Sequence, residues 1–195
     1  MTEQTKEMKV DDIKTAAEEK TCPVQKALYF VTEFLAGPMC GRCFPCAMGS
    51  YEARIRLENL SGEGTKGDVL ALRRIAEDMV EASFCKKGKD TGKFILDWIA
   101  SGVFNEHVEG NCPDLQCAKL IEYRITPKKC IMCGECKRVC KFIAIHGEIG
   151  KSYKGGYLPY EIRQRRCTRC GECIKVCPEG AIVLTAAKAA EPVPA

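Results

Sequence analysis

Two runs of cysteine carry chemistry in this chain. The first is Cys130, Cys133, Cys136 and Cys140; the second is Cys167, Cys170, Cys173 and Cys177, with Pro178 after it. Each reads C-x2-C-x2-C-x3-C. Three thiolates at two-residue gaps can wrap one corner of an iron–sulfur cube, each sulfur presented to a different iron. The fourth cysteine lies too far along the chain to close the same cube and ligates the partner cube instead. The spacing therefore predicts one [4Fe–4S] cluster on Cys130, Cys133, Cys136 and Cys177, and another on Cys167, Cys170, Cys173 and Cys140. Zinc is the competing reading, but zinc sites use C-x2-C pairs and four ligands, not interlocked runs of three plus one.

A third run, Cys40-x2-Cys43-x2-Cys46, offers three corners of a further cube. Its fourth ligand must come from elsewhere. Cys85 follows the helical stripe Val69, Leu72, Ile75, Ala76 and Met79, at the expected end of that helix, and is the candidate. Three clusters would use twelve of the 15 cysteines. Cys22, Cys112 and Cys117 remain, and one of only two histidines, His107, stands in the loop beside two of them. Three thiolates and an imidazole make a closed tetrahedral zinc site. Free buried cysteines with an exposed histidine are the alternative. Such a zinc site would tie the start of the helices to the hinge before the second cluster region.

Two phosphate-loop patterns fail on context. Gly62-Glu63-Gly64-Thr65-Lys66-Gly67 satisfies G-x-G-x-x-G, but a helical stretch precedes it and no βαβ unit surrounds it. It reads as a helix–helix turn, with Asp68 in the first turn of the next helix. Gly88 to Phe94 is one residue short of a Walker loop and lacks its Ser or Thr.

Composition narrows the class. Cysteine at 15 of 195 residues is the outlier. The spacings are metal spacings and the count is odd, which argues against a secreted disulfide scaffold. The first twenty residues have no apolar core of a signal peptide. The most apolar stretch, Ala27 to Gly37, is too short to span a bilayer. A cytoplasmic protein of a reducing, anaerobic cell, without membrane insertion, is expected. The net charge is +4 with 29% charged residues. No basic stripe interleaved with aromatics marks a nucleic-acid binder. Lys128, Lys129, Lys137, Arg138, Lys141, Arg165, Arg166 and Arg169 surround the paired runs, as solvated surface, to favour the reduced, more negative cluster state, or to dock an acidic donor.

The elements that must hold these residues are helices first, short strands after. Residues 1–21 form an N-terminal arm with a weak stripe at Val10, Ile13 and Ala17. Thr21 caps a helix that has Pro23 in its first turn and Val24, Leu28, Val31 and Leu35 on one face. It stops at Gly37-Pro38. Helices over about 47–60 and 68–85, and a stretch through Phe94, Ile95, Trp98, Ile99 and Val103, complete a bundle. Strands are expected over 122–125, 142–145, 157–162 and 180–184. The fold class is α+β: a helical iron–sulfur domain (22–118), a ferredoxin-like 2[4Fe–4S] domain with pseudo-twofold duplication (119–185), and a tail (186–195).

Residues Cys40, Gly41, Cys43, Pro45, Cys46, Gly49 and Cys85 resemble the C-terminal iron–sulfur region of the NADH dehydrogenase flavin subunit. Ala47 stands where that family usually has Arg. Residues 107–185, with Cys112-Pro113 and Cys117 ahead of the two runs, are similar to the C-terminal extension of the diaphorase subunit of NAD-linked hydrogenases. A chain without the flavin- and NADH-binding domain of those families is expected. The chain also looks like the electron-transfer subunit that accompanies the tungsten-containing, aldehyde-oxidoreductase-like subunit of class II benzoyl-CoA reductase.

The resemblances imply a non-catalytic electron-transfer subunit with three [4Fe–4S] clusters, serving a larger catalytic oxidoreductase subunit that contains tungsten, molybdenum or flavin. The alternatives are a detached cluster module of a flavin-dependent NADH dehydrogenase or NAD-linked hydrogenase, and a redox-sensing interaction module.

Overall fold

A computed structural model describes residues 9–150, 152–153 and 156–187. The first eight residues of the expected arm and most of the expected tail lie outside the described residues. The chain divides into two compact units, Met1–Leu120 and Ile121–Ala195.

The first unit is helical: α1 (Val10–Ala17), α2 (Pro23–Ala36), α3 (Phe44–Leu60), α4 (Lys66–Ala82), α5 (Lys86–Ala100) and the short α6 (Phe104–Val108). Its core gathers one face of each helix. On α2 the buried residues are Val24, Ala27, Phe30, Val31 and Phe34, while Leu28 and Leu35 lie at the flanks. The buried line is thus rotated from the stripe expected through Leu28 and Leu35, because Phe30 and Phe34 claim the centre. Phe30 packs on Phe94 of α5 with ring centroids 4.3 Å apart, an offset that suits the ring quadrupoles. The described part of the expected arm is no loose end. Ile13 and Ala17 of α1 are fully buried in the same core.

Local sequence explains the helix ends. Thr65 caps α4: its Oγ1 accepts from the Asp68 N–H, and Asp68 Oδ2 accepts from the Thr65 N–H in return. This reciprocal box satisfies two amides that a helix start leaves open. Arg56 and Asn59 of α3 both donate to Asp68 Oδ1 at 3.1 Å, which ties the turn to the preceding helix. Burial alone would raise the Asp68 carboxyl; the bonds from Thr65, Asn59 and Arg56 outweigh it and hold the group at about 2. The G-x-G-x-x-G stretch is therefore the helix–helix turn its context predicted.

Two other ends differ from expectation. Cys22, not Thr21, caps α2, with Pro23 as its first residue. Cys85 does not end α4; that helix stops at Ala82, and Cys85 caps the start of α5. The Gly88–Phe94 segment lies inside α5, where its glycines are contact points. A Cβ on Gly92 would stand 2.6 Å from the Ala76 carbonyl oxygen, and one on Gly88 would meet Ser83 and the Cβ of Cys46.

The second unit is built as two near-copies of one motif. β1 (Ile121–Ile125) pairs antiparallel with β6 (Ile182–Ala186), and β2 (Ile145–His146) with β5 (Glu161–Ile162). A small hairpin pairs β3 (Ser152–Tyr153) with β4 (Gly156–Tyr157). The short helices α7 (Glu135–Val139) and α8 (Glu172–Lys175) lie within the cysteine runs. The expected strand over 142–145 shrinks to Ile145–His146, because Ile143 turns into the left-handed region at φ 51°. Backbone bonds tie the two copies together: Thr126 N–H donates to the Ala181 carbonyl, and Arg163 N–H to the Ala144 carbonyl.

Candidate metal centres

The first centre forms where two helices begin. Cys43 caps α3 and Cys85 caps α5. One cavity is lined by Cys40, Cys43, Cys46 and Cys85, with Phe34, Met39 and Lys87 among its walls. Positive φ at Gly41 (70°) lets the Cys40–Cys43 loop turn tightly, and the Gly41 N–H donates to Met39 Sδ at 3.0 Å. Helix starts carry partial positive charge, which favours the anionic assembly of four thiolates. The backbone N–H of Phe84 holds the Cys43 thiol below its ordinary range.

Two further cavities lie in the second unit. One is lined by Cys130, Cys133, Cys136 and Cys177, the other by Cys140, Cys167, Cys170 and Cys173. Each cavity is lined by three cysteines of one run and the last cysteine of the other. Gly134 and Gly171 cap α7 and α8 in the left-handed conformation, at φ 81° and 77°. Met132 and Arg169 also take positive φ, at 56° and 60°, so each loop folds inward around its cavity. The last cysteine of each run receives a backbone N–H: Ala144 to Cys140 Sγ at 3.3 Å, Ala181 to Cys177 Sγ at 3.2 Å. Such bonds stabilise charge on sulfur. Tyr123 and Tyr160 are also exchanged. Tyr123 from before the first run has its hydroxyl near Gly171, and Tyr160 from before the second has its hydroxyl near Gly134.

In each run of the second unit the third cysteine is the deep one, and in the first unit Cys43 and Cys46 are both buried. Cys46, Cys136 and Cys173 are buried, and burial is the first cause that pushes each thiol up to about 11. Without a cation, these sulfurs resist ionising.

A fourth group lies wholly in the helical unit. Cys22, His107, Cys112 and Cys117 are each fully buried, and their ligand atoms all lie within 4.8 Å of one another. Cys22 Sγ is 3.2 Å from His107 Nε2, 3.7 Å from Cys117 Sγ and 3.8 Å from Cys112 Sγ. Four ligands about 2.3 Å from one tetrahedral ion stand about 3.8 Å apart. Four sulfurs on separate irons of a cube stand farther apart, so this group fits one ion. Two residues that spacing did not reveal hold it. Gln116 Oε1 accepts from the Cys22 N–H at 3.1 Å, and Gln25 Nε2 donates to Cys117 Sγ at 3.4 Å. Neither has a metal-ligand signature, so only the fold discloses them. The Cys22 thiol is held down to about 4, first by the bond with Cys117 and then, against burial, by His107. Cys117 is pushed the opposite way by the Cys22 sulfur and by burial.

Two known families match the chain. The one described as the NADH-ubiquinone oxidoreductase-F iron-sulfur binding region matches residues 26–110, and the 4Fe-4S dicluster domain matches residues 129–181. The chain is an iron–sulfur electron-transfer module related to hydrogenase, formate dehydrogenase and NADH dehydrogenase subunits. It is 32% identical to NADP-reducing hydrogenase subunit HndC of Solidesulfovibrio fructosivorans over 67% of its own length and 27% of that protein's. It is 33% identical to the F subunit of the NADH-quinone oxidoreductase of Streptomyces coelicolor over 49% of its length and 22% of that protein's. With NADP(+)-dependent formate dehydrogenase subunit beta of Moorella thermoacetica it shares 34% identity over 37% of its length and 10% of that protein's. The chain thus spans about a quarter or less of these curated relatives. Among the described residues, no helix is long and apolar enough to cross a membrane.

Proposed function

We propose that this chain is an electron-transfer subunit that carries three [4Fe–4S] clusters and one zinc ion, and relays electrons to or from a larger catalytic subunit. The observation that carries this reading is the division of the 15 cysteines. Twelve line three cavities in sets of four, and the remaining three meet His107 in a group of single-ion size. The ligand sets are Cys40, Cys43, Cys46 and Cys85; Cys130, Cys133, Cys136 and Cys177; and Cys140, Cys167, Cys170 and Cys173. Each cluster, when bound, exchanges one electron. The protein's part is to hold the sulfurs, set hydrogen bonds to them and limit water. Zinc, which has no redox chemistry, serves structure.

The ring nitrogen of His107 that meets the thiols is Nε2, 3.2 Å from Cys22 Sγ, so Nε2 is the atom that would hold the ion.

A larger partner is supported by the relatives, each named as a subunit, and by the surface beside the first cavity. Phe44 and Phe84, next to Cys43 and Cys85, are 76% and 85% exposed. Met48 and Tyr51 of α3 are also exposed. Apolar surface of this kind marks an interaction site. We take the occupant to be the catalytic subunit, of the tungsten-containing, aldehyde-oxidoreductase-like kind found in class II benzoyl-CoA reductase, in a reducing, anaerobic cytoplasm. The second reading, a cluster module of a flavin-dependent NADH dehydrogenase or NAD-linked hydrogenase, draws on the match to the hydrogenase subunit.

Metal analysis of the complex purified anaerobically from its host tests this. About twelve irons and one zinc per copy of the chain are expected after subtraction of the partner's iron. About eight irons would remove one ligand set. Tungsten or molybdenum in the sample supports the first partner; flavin without either supports the second.

A further inference from the structure

The duplication in the second unit allows its two cavities to be compared residue by residue. The segment that leaves each run has the same backbone task. Both deliver an N–H to the preceding cysteine sulfur, and both turn through positive φ, at Ile143 (51°) and Gly180 (54°). Their side chains differ. After Cys177 the chain reads Pro178-Glu179-Gly180; after Cys140 it reads Lys141-Phe142-Ile143.

That difference is costly for folding. Glycine takes positive φ freely, whereas a β-branched residue there is strained. Strain of this kind persists where it serves a site. Ile143 gains no burial in return, being 64% exposed, and Phe142 beside it is 49% exposed. Phe142 lines the cavity of Cys140, Cys167, Cys170 and Cys173. Two arginines, Arg165 and Arg166, lead directly into Cys167, and Lys141 follows Cys140. All three are exposed, and none closes an ion pair among the described residues. Glu172, on the same cavity wall, is already paired with Lys175 at 2.7 Å. At the sister cavity the matching positions hold Lys128, Lys129 and the acidic Glu179, a weaker positive rim.

We propose that the rim of Lys141, Phe142, Ile143, Arg165 and Arg166 is the docking site for a small acidic iron–sulfur carrier protein. The inference rests on the three-cluster reading above and adds where a carrier meets the chain. The basic side chains steer an acidic partner into place. The exposed apolar pair supplies a dry centre of the sort found in interface cores. The exposed Cys170 brings a sulfur of the cavity to the surface under the docked carrier. A second copy of this chain is a poor occupant, because the same positive rim would face its like.

Calorimetric titration of the iron-loaded full chain with an oxidised, net-acidic two-cluster bacterial ferredoxin tests the site without requiring electron transfer. Saturable binding is expected at low salt, weakened about tenfold or more at high salt. Arg165→Glu with Arg166→Glu should weaken binding about tenfold or more. Lys128→Glu with Lys137→Glu makes the same charge change beside the sister cavity and should stay within about threefold of the parent. No binding by the parent chain, no loss in the first variant, or equal loss in both would overturn the proposal. Iron content separates the two readings: a parent chain lacking the iron of the second unit fails the cluster assignment, whereas full iron without rim-dependent binding fails only the docking site.

Discussion

At the scale of single residues, the His107 group concentrates the argument. Three thiols and an imidazole packed within 4.8 Å in a dry core repel one another once ionised, so an ion at their centre changes a liability into a cross-link. His107→Ala should reduce zinc from about one per chain to near zero while leaving iron unchanged, read by elemental analysis. His107→Cys, which completes a set of four thiolates, should retain zinc. Unchanged zinc in the alanine variant would refute the site. The cysteines were legible in the sequence because short gaps along the chain fix ligand geometry. His107 was legible only by elimination, as a histidine near leftover thiols. Gln25 and Gln116 were not legible, since their roles depend on α2 and the 112–117 loop meeting in space. Tyr123 and Tyr160 were hidden for the same reason.

At the scale of elements, periodicity located the helices but not their rotation or ends. Cys85 illustrates this: apolar spacing ran through α4 up to Phe84, yet Ser83 takes extended backbone and Cys85 opens α5. The consequence is favourable, because a helix start, not an end, faces the sulfurs. Gly88 and Gly92 carry the second lesson. Glycine inside a helix usually costs about 1 kcal/mol relative to alanine. Here absence of a Cβ is what lets α5 press against α4. Gly92→Ala should therefore lower the melting temperature despite the better helix former, by an overpacking cost of about 1–3 kcal/mol. Gly67→Ala in the first turn of α4, where a Cβ meets only Thr65 Oγ1 at 3.4 Å, should not. A rise in stability for Gly92→Ala would show that the two helices can part without cost. In the second unit, Ile143 defeated the strand expectation, since a β-branched residue at positive φ contradicts its own propensity.

At the scale of the molecule, the two-unit organisation followed from the change in cysteine pattern and from helical stripes giving way to short alternating segments. The surfaces did not follow, because a sequence cannot separate an apolar residue in the core from one left in water. Phe44, Met48, Tyr51 and Phe84 are the case in point. Phe44→Ser with Phe84→Ser should leave iron content intact but reduce co-purification with the catalytic subunit about tenfold or more, as expected for central aromatic anchors of an interface. Full retention of the partner would place its docking surface elsewhere.

The crossed ligand sets also impose an order on the making of this protein. Synthesis runs from the N-terminus, so a cavity closes only when its last cysteine has emerged. The helical unit's cavity waits for Cys85 and the zinc group for Cys117. The cavity begun by Cys130 is the last of all to be completed, because it needs Cys177, while the one begun later by Cys140 closes at Cys173. Neither half of the duplicated unit can be furnished with metal while the other is still unmade. The exchange of cysteines that interlocks the halves thus couples their maturation into a single event.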